Sequence, residues 1–395
     1  MRFRPPAGTL PAGARWALAR AFWPSAVQPP AVEAASAILG VEALRLGARI
    51  ASRIPAGVLE SELGPAGASR LREKRAAAAA RTALVRWSLL EALAVARRAE
   101  LAPVLLKFAA FEALGALSEA SRGASDVDLL LDSRSALALR EALLAEGWRA
   151  TAEREEEHHL AAVSRPPGLP IEIHTRLPGI RVGTASVDAA GLEEAGLLEL
   201  CEGVLIGARV PKPELVVAHL LVHGLAQHGA SPRAYPMFQP FADAIDLGWP
   251  GKEWRVGAEA IVAWVERSVS HAELEASARL CVRLAEGDPS LFDESASDSA
   301  EAALLHHCVC GMLDEGYRAS LRLRAVGMPL SDLPTWRAGL REVRRALAPR
   351  ASELVSIYGG RPSRGRLLWL RFYRPFDLVG RTVGTLVRKA QVRRG

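Results

Sequence analysis

The chain contains little cysteine and few aromatic residues for its length. Four cysteines, Cys201, Cys281, Cys308 and Cys310, are spread over 395 residues, and 6% of the residues are aromatic. Small secreted domains that depend on disulfides use cysteine far more densely. A disulfide framework is therefore excluded, and we expect a cytoplasmic protein.

Long hydrophobic runs and two common catalytic motifs are also missing from the sequence. Arg, Glu or Pro interrupts every candidate for the roughly 18 apolar residues that cross a bilayer. The first residues, Met1 to Pro6, carry positive charge but no compact apolar run follows, so we expect no secretory signal. There is no Gly-x-Ser-x-Gly elbow and no phosphate-binding Gly-x4-Gly-Lys-Ser/Thr loop, so serine hydrolases and P-loop NTPases lack their motifs here.

The length suits two or three structural units, at roughly 100 to 200 residues per domain. Changes in composition and periodicity predict five segments. These are an irregular, Pro-, Gly- and Trp-rich N-terminal arm (1–30), an N-terminal helical region (31–102), a mixed core (103–185), a C-terminal helical domain (186–320) and a basic tail (321–395).

The core segment predicts alternating strands and helices. Short apolar runs predict strands over 104–108 and 126–132, a helix over 109–120 lies between them, and Ser133 or Ser135 is the expected cap of a helix that ends near Gly147. Two further strands, around 158–164 and 171–177, form a hairpin. Helical periodicity returns beyond about residue 190, including 253–269, so the fold class is α+β.

Acidic residues gather on two of the predicted strands. Asp126 and Asp128 point to one face, because side chains alternate along a strand. Glu172 and His174 likewise share a face and can meet the aspartates from a neighbouring strand. Carboxylates so close to each other repel unless a cation neutralises their charge. Three carboxylates can hold two divalent cations, and two such cations stabilise the displacement at a phosphoryl group.

These motifs resemble the nucleotidyltransferase superfamily, specifically its uncharacterised bacterial nucleotidyltransferase family proteins. That group has an "LLKG" strand end, an "R…DIDLLV" strand and a later "ElHw" strand. This chain has Leu105-Leu106-Lys107-Phe108, then Arg122 followed by Asp126-Val127-Asp128-Leu129-Leu130-Leu131, then Ile171-Glu172-Ile173-His174. The resemblance implies a small mixed-sheet, polymerase-beta-like core between N-terminal and C-terminal helical regions.

The implied function is transfer of a nucleoside monophosphate from an NTP to an unknown acceptor with Mg²⁺ or Mn²⁺. The expected catalytic residues and metal ligands are Asp126, Asp128 and Glu172. The expected substrate-binding residues are Lys107, Arg122, Ser125 and His174. The side chains of Lys107 and Arg122 would neutralise the triphosphate, and His174 would orient Glu172 or the acceptor. A simple salt bridge from Lys107 or Arg122 to the aspartates is the plainer alternative.

Phe108 stands where the family has glycine, and this substitution supports a second hypothesis. A bulky ring there could block the nucleotide phosphates, or it could pack inward while the helix N-terminus still offers its amides. In the first case the chain is an inactive nucleotidyltransferase-fold protein that binds a nucleotide, a nucleic acid or a protein, or serves as a scaffold.

Several basic or metal-ligating residues lie outside these motifs. The net charge is +6, and residues 361–395 hold ten Lys or Arg against one acid, so the tail could bind an anionic membrane, nucleic acid or an acidic protein, or fold back. His219 and His223 have the spacing of two helix ligands, but core packing is the favoured interpretation. We interpret 155–159 as a solvated turn and strand start, and 306–310 as a buried helix.

Overall fold

A computed structural model of the chain describes residues 8–24, 29, 31–116, 121–151, 158–182, 185–224, 237–249 and 271–314, with Gly365, Leu368, Trp369, Phe372 and Tyr373. The chain divides into two units, residues 1–313 and 314–395. The predictions made for 155–157, for the helix over 253–269 and for nearly all of the basic tail concern residues outside the described ranges.

Four helices precede the sheet: α1 (Ala12–Phe22), α2 (Ala34–Leu44), α3 (Gly47–Arg53) and α4 (Ala56–Arg98). The prediction of an irregular arm is wrong for α1, whose residues are almost all buried. Gly13, inside this arm, allows α1 and α2 to touch. A Cβ at Gly13 would lie 2.1 Å from the backbone oxygen of Ser36.

Helix α4 is long and broken once. Gly64 has φ 72°, a left-handed conformation that glycine tolerates, and Pro65 follows it. Beyond this kink the helix runs to Arg98, close to the predicted end before Pro103. Its inward residues include Leu71, Leu89 and Leu93, each 1% exposed.

The middle of the first unit is a seven-stranded mixed sheet in the order β3-β4-β5-β2-β1-β9-β8, with a separate two-stranded sheet, β6-β7. Strand β2 is parallel to β5, β1 is parallel to β9, and the remaining pairs are antiparallel. The strands are β1 (Val104–Leu105), β2 (Val127–Leu130), β3 (Arg149–Ala150), β4 (Val163–Ser164), β5 (Ile171–His174), β6 (Leu177–Val182), β7 (Ala185–Val187), β8 (Leu198–Leu200) and β9 (Arg209–Pro211).

Seven further helices accompany the sheet in the described part of the chain: α5 (Lys107–Ala113), α6 (Ser133–Ala145), α7 (Ala189–Glu194), α8 (Pro213–Val222), α9 (Gln239–Asp246), α10 (His271–Glu286) and α11 (Ala300–Leu313). The cap of α6 is Asp132 rather than Ser133 or Ser135, because its carboxylate accepts from the backbone N–H groups of Arg134 and Ser135. The α+β class, with a mixed nucleotidyltransferase-like core flanked by helices, is confirmed.

Strand β2 separates two apolar clusters. All four of its residues are buried, which is expected of a central strand covered on both faces. Val127 and Leu129 belong to one cluster, with Ile171 and Ile173 of β5. Leu130 belongs to the other, which contains α1 and most of the C-terminal helices. Asp128 therefore points to the same face as Leu130.

The second unit contributes six described residues: Asp314, and the helical residues Gly365, Leu368, Trp369, Phe372 and Tyr373. Trp369 stacks on Tyr373 with ring centroids 4.9 Å apart, and both rings are exposed. Across the described residues of both units, no helix is long and apolar enough to cross a membrane.

Candidate active site

Two carboxylates face each other across neighbouring parallel strands. Asp128 of β2 is in register with Glu172 of β5, and Leu130 is in register with His174. Paired residues of adjacent strands point to the same face of the sheet. Val127, Leu129, Ile171 and Ile173 point to the opposite face, into an apolar cluster. Asp128, Glu172 and His174 consequently project together from the sheet.

The polar atoms of these three side chains form a tight group. One ligand atom from each of Asp128, Glu172 and His174 lies within 4.8 Å of the others. His174 Nε2 is 2.9 Å from Asp128 Oδ1 and 3.7 Å from Glu172 Oε2. Asp128 is 1% exposed and the Glu172 side chain is 22% exposed, so the group is open to solvent on the Glu172 side.

Lys107 neutralises the buried aspartate. Its Nζ donates to Asp128 Oδ1 at 2.7 Å, from the first residue of α5, where the backbone has φ 46°. Burial alone would lower the pKa of Lys107, but the Asp128 and Asp126 carboxylates reverse this and raise it above its ordinary value. The lysine is therefore fully charged, and its left-handed backbone directs the ammonium toward the carboxylates.

Asp128 is held in its ionised form despite its burial. Burial would raise its pKa, but Lys107 and the hydrogen bond from His174 hold the pKa well below the ordinary carboxylate range. An ionised carboxylate only accepts hydrogen bonds, so the 2.9 Å contact requires the proton of His174 to be on Nε2. His174 Nδ1 is buried and has no hydrogen-bond partner.

Asp126 lies one residue before β2 and is not a member of the three-residue group. The hydroxyl of Ser125 donates to Asp126 Oδ2 at 3.1 Å. Burial and the neighbouring charge of Asp128 raise the pKa of Asp126, which places it close enough for electrostatic coupling. The structure thus gathers Asp128, Glu172 and His174, and leaves Asp126 beside them; the catalytic and metal-binding roles predicted for these residues remain predictions.

Phe108 packs inward, away from the carboxylates. It is 1% exposed and shares an apolar cluster with Val127 and Leu129, the β2 residues on the face opposite to Asp128. The guanidinium carbon of Arg122 lies 5.6 Å from the Phe108 ring centroid and 5.2 Å from that of Phe111. The ring is therefore part of the core under the loop before β2.

Arg122 pairs with an acid that the sequence motifs do not include. Its Nη2 lies 3.2 Å from Asp243 Oδ2, and its side chain is 12% exposed. Burial raises the pKa of Asp243 to about 6, although Arg122 and a hydrogen bond from Gln239 lower it. Arg122 thus anchors the loop to α9 and also lowers the pKa of Asp126; the predicted contact with a triphosphate remains a prediction.

Histidines surround His174 in a way that the sequence motifs did not indicate. The ring centroids of His158 and His159 lie 5.9 Å and 5.5 Å from that of His174, and a β-bridge joins His159 to His174. Burial and then His174 lower the pKa of His158 to about 4, and burial and then Lys107 lower the pKa of His219 to about 3. These two imidazoles are neutral at pH 7, so they add no positive charge beside Lys107.

The interpretation of 155–159 as a solvated turn and strand start agrees with the bridge from His159 to His174 but did not include the packing of His158 and His159 around His174. The predicted hairpin of 158–164 with 171–177 already placed this strand beside β5, and β4 pairs with β5 antiparallel; strand pairing alone does not indicate which side chains pack together. His219 and His223 lie with ring centroids 5.9 Å apart, and no third ligand joins them among the described residues. His306, His307 and Cys308 are buried in α11, as expected for a buried helix.

Helix α4 holds the segments that lead into both strands. Thr82 Oγ1 donates to the backbone oxygen of Arg122 at 3.2 Å, just before Asp126. Ser88 Oγ accepts from the N–H of Leu169 at 2.7 Å and lies 2.9 Å from its carbonyl oxygen, just before β5. Gly168 approaches so closely that a Cβ there would lie 2.2 Å from Ser88 Oγ. One helix thus fixes where β2 and β5 begin.

The donor set fits a hard divalent cation. Carboxylate oxygens suit Mg²⁺ and Mn²⁺, whereas imidazole favours softer metals. A cation bound through His174 Nε2 would require the ring proton to move to Nδ1, which is buried without an acceptor. Asp128 and Glu172 are therefore the suited ligands, and His174 is suited to hold Asp128.

A family model described as an uncharacterised nucleotidyltransferase matches residues 38–241. The match includes α4, the strands β1 to β9 and the whole carboxylate group. No curated protein and no solved structure gives a significant match.

Proposed function

The chain belongs to the family of uncharacterised nucleotidyltransferases, and we propose that it transfers a nucleoside monophosphate from an NTP to an acceptor. The observation that supports this proposal is the register of β2 with β5, which brings Asp128 and Glu172 together beside Lys107. An acidic pair of this kind is the part of the fold on which nucleotidyl transfer depends.

In the proposed reaction the acceptor oxygen forms a bond to the α-phosphorus of the NTP. The bond from the α-phosphorus to the oxygen that bridges the α- and β-phosphates breaks, and pyrophosphate leaves with that electron pair. The acceptor loses its proton to a nearby base, for which the partly exposed Glu172 carboxylate is suited. A bound Mg²⁺ or Mn²⁺ would stabilise the charge on the transferring phosphoryl group.

The residues of this chain have distinct roles in the proposal. Asp128 and Glu172 hold the cation, and Asp126 is the third carboxylate. His174 donates to Asp128 and fixes the orientation of its carboxylate. Lys107 balances the negative charge before the nucleotide binds and contacts a phosphate oxygen afterwards, where charge develops in the transition state.

The inward packing of Phe108 bears on the alternative of an inactive binding protein. The ring occupies the core rather than the space in front of Asp128. A blocked phosphate site was the main support for inactivity, and this geometry supplies no such block. Activity is therefore the hypothesis to test first.

The test compares two Glu→Gln variants of the same sheet. Glu172→Gln removes a proposed ligand, and Glu199→Gln, on the exposed strand β8, is the matched control. We expect Mg²⁺-dependent release of pyrophosphate from labelled NTPs, measured with a mixture of cell metabolites as acceptors, to fall at least about a hundredfold in Glu172→Gln only. Mn²⁺ binding, measured by calorimetry, should weaken in the same variant.

Equal pyrophosphate release by Glu172→Gln and wild type would contradict the catalytic assignment. Circular dichroism of both variants shows whether the fold is intact. Asp128→Asn gives a second measurement of Mn²⁺ affinity, and unchanged affinity in both variants would contradict the metal assignment.

A further inference from the structure

A cationic cavity lies between the N-terminal helices, outside the carboxylate group. It has a volume of about 300 Å³, and its walls come from α2, α3 and the part of α4 beyond the kink. Its floor is apolar, with Val41, Leu71 and Ala78. A volume of this size is at the lower end for small-molecule sites.

Positive charge dominates the rim of this cavity. Arg45, Arg70, Lys74 and Arg81 line it, and Glu42 is the single carboxylate. Glu42 pairs with Arg70 at 2.5 Å. No ion pair joins Lys74 or Arg81 to another described residue, although two cations near one cavity repel each other. Both side chains are exposed, so among the described residues their charges are available to an anion in the cavity.

The cavity reaches the loop that carries the acidic residues. Gly123 lines it, and a Cβ at Gly123 would lie 3.6 Å from Arg81 Cδ. Gly123 and Asp126 are three positions apart in the chain, a span of at most about 11 Å. Arg122, the residue before Gly123, is fixed to α4 through Thr82. A molecule in the cavity thus lies beside the segment that leads into β2.

We propose that this cavity binds the anionic group of the acceptor, which is a small organic phosphate or carboxylate. The inference rests on the proposed function, because it places the nucleophile near the carboxylates. The apolar floor holds the carbon skeleton, and Lys74 and Arg81 bind the anion. This arrangement explains why three cations of α4 and Arg45, which follows α2, gather at the cavity, and why a residue without a side chain, Gly123, faces them.

The test uses charge-matched double variants of the full chain. Lys74→Ala with Arg81→Ala removes two cations from the cavity, and Arg75→Ala with Arg149→Ala removes two exposed cations that do not line it. Calorimetry measures binding of two probes, inorganic phosphate and malonate, and their comparison distinguishes a phosphate from a carboxylate ligand. We expect the tighter probe to bind about 30-fold more weakly to the cavity variant than to wild type or control.

A second measurement connects the cavity to the reaction. Cell metabolites are divided by an anion-exchange resin into a retained anionic fraction and an unretained fraction. We expect the anionic fraction alone to stimulate Mg²⁺-dependent pyrophosphate release, the stimulation to be lost in the cavity variant, and NTP affinity to be the same in all three proteins.

The outcomes separate this proposal from the proposed function. Equal probe binding by the cavity and control variants, or stimulation by the unretained fraction alone, overturns the acceptor site. Loss of NTP affinity in the cavity variant also overturns it, because the cavity then holds the triphosphate. Absence of both NTP binding and pyrophosphate release in wild type rejects the proposed function, and the probe measurement still decides whether the cavity binds anions.

Discussion

Removal of the Lys107 ammonium should show how strongly the ionised Asp128 carboxylate depends on its neighbouring cation for stability. In Lys107→Met the side chain keeps most of its volume but loses the charge that contacts Asp128. Lys107 is 14% exposed and Asp128 is 1% exposed at the side chain, so the pair is largely out of water. Breaking a buried pair by removing one partner costs about 3 to 5 kcal/mol. His174 still donates to the same oxygen, so we expect a value near 3 kcal/mol.

Urea unfolding of four proteins measures this effect: wild type, Lys107→Met, Asp128→Asn and the double variant. The double variant lacks the uncompensated charge, so the two single losses should not add, and we expect a coupling free energy of about 2 kcal/mol. Lys212 is at the N-cap position of α8 and makes no side-chain capping hydrogen bond, so Lys212→Met is the control for loss of a cation. If Lys107→Met lowers the free energy of unfolding by the same amount in the Asp128→Asn background as in wild type, the assignment of the Lys107–Asp128 pair is refuted.

The pH and metal dependence of Lys107→Met follow from the same contacts. The pKa of Asp128 is below its ordinary value in the folded protein, so the stability from the pair is present above about pH 4 and is lost as the pH falls through the folded pKa. The difference between wild type and Lys107→Met should therefore shrink below about pH 4. Mg²⁺ should stabilise Lys107→Met more than wild type, because the cation replaces the missing charge.

Two further predictions concern the supports of the site. Gly168→Ala should destabilise the protein by about 2 to 3 kcal/mol, because the new Cβ would lie 2.2 Å from Ser88 Oγ. The control is Gly57→Ala, whose new Cβ would meet nothing within 4 Å. Thermal unfolding compares the two variants, and equal unfolding midpoints would contradict the contact. The pKa of Asp243 is raised to about 6, so its contribution relative to Asp243→Asn should be fully present below about pH 4 and decline by up to about 3 kcal/mol as the pH rises past 6. Urea unfolding from pH 4 to pH 8 measures the decline, and a constant difference between the two proteins would show that Asp243 does not titrate in this range.

The sequence predicted the parts of the site that depend on local alternation. Strands β2 and β5 follow from short apolar runs with a period of two, and the same period places Glu172 and His174 on one face. The family and the α+β class are likewise confirmed. Alternation predicted that Glu172 and His174 can meet the aspartates, but it cannot supply the register between strands far apart in the chain. That Asp128, and not Asp126, joins Glu172 and His174 became visible only in three dimensions.

Residues whose partners are distant in sequence were the hardest to interpret. Arg122 looked like a phosphate ligand, yet it pairs with Asp243, more than a hundred residues away and outside the motifs. The proline-rich start of the chain looked irregular because composition alone does not distinguish a loop from two helices in close contact. The predicted segment boundaries, the cytoplasmic location and the partners of the basic tail remain predictions.

Helix α4 sets the distance between the starts of β2 and β5, the two acidic strands, which pack against it. Thr82 and Ser88 are six residues apart, about 9 Å along the helix axis, and each secures the chain just before one acidic strand. Inserting a single residue between them would turn one anchor by about 100° relative to the other. The separation of Asp128 and Glu172 would then change although neither strand had been altered, so the geometry on which cation binding is proposed to depend is encoded partly in the length of the α4 segment between its two anchors.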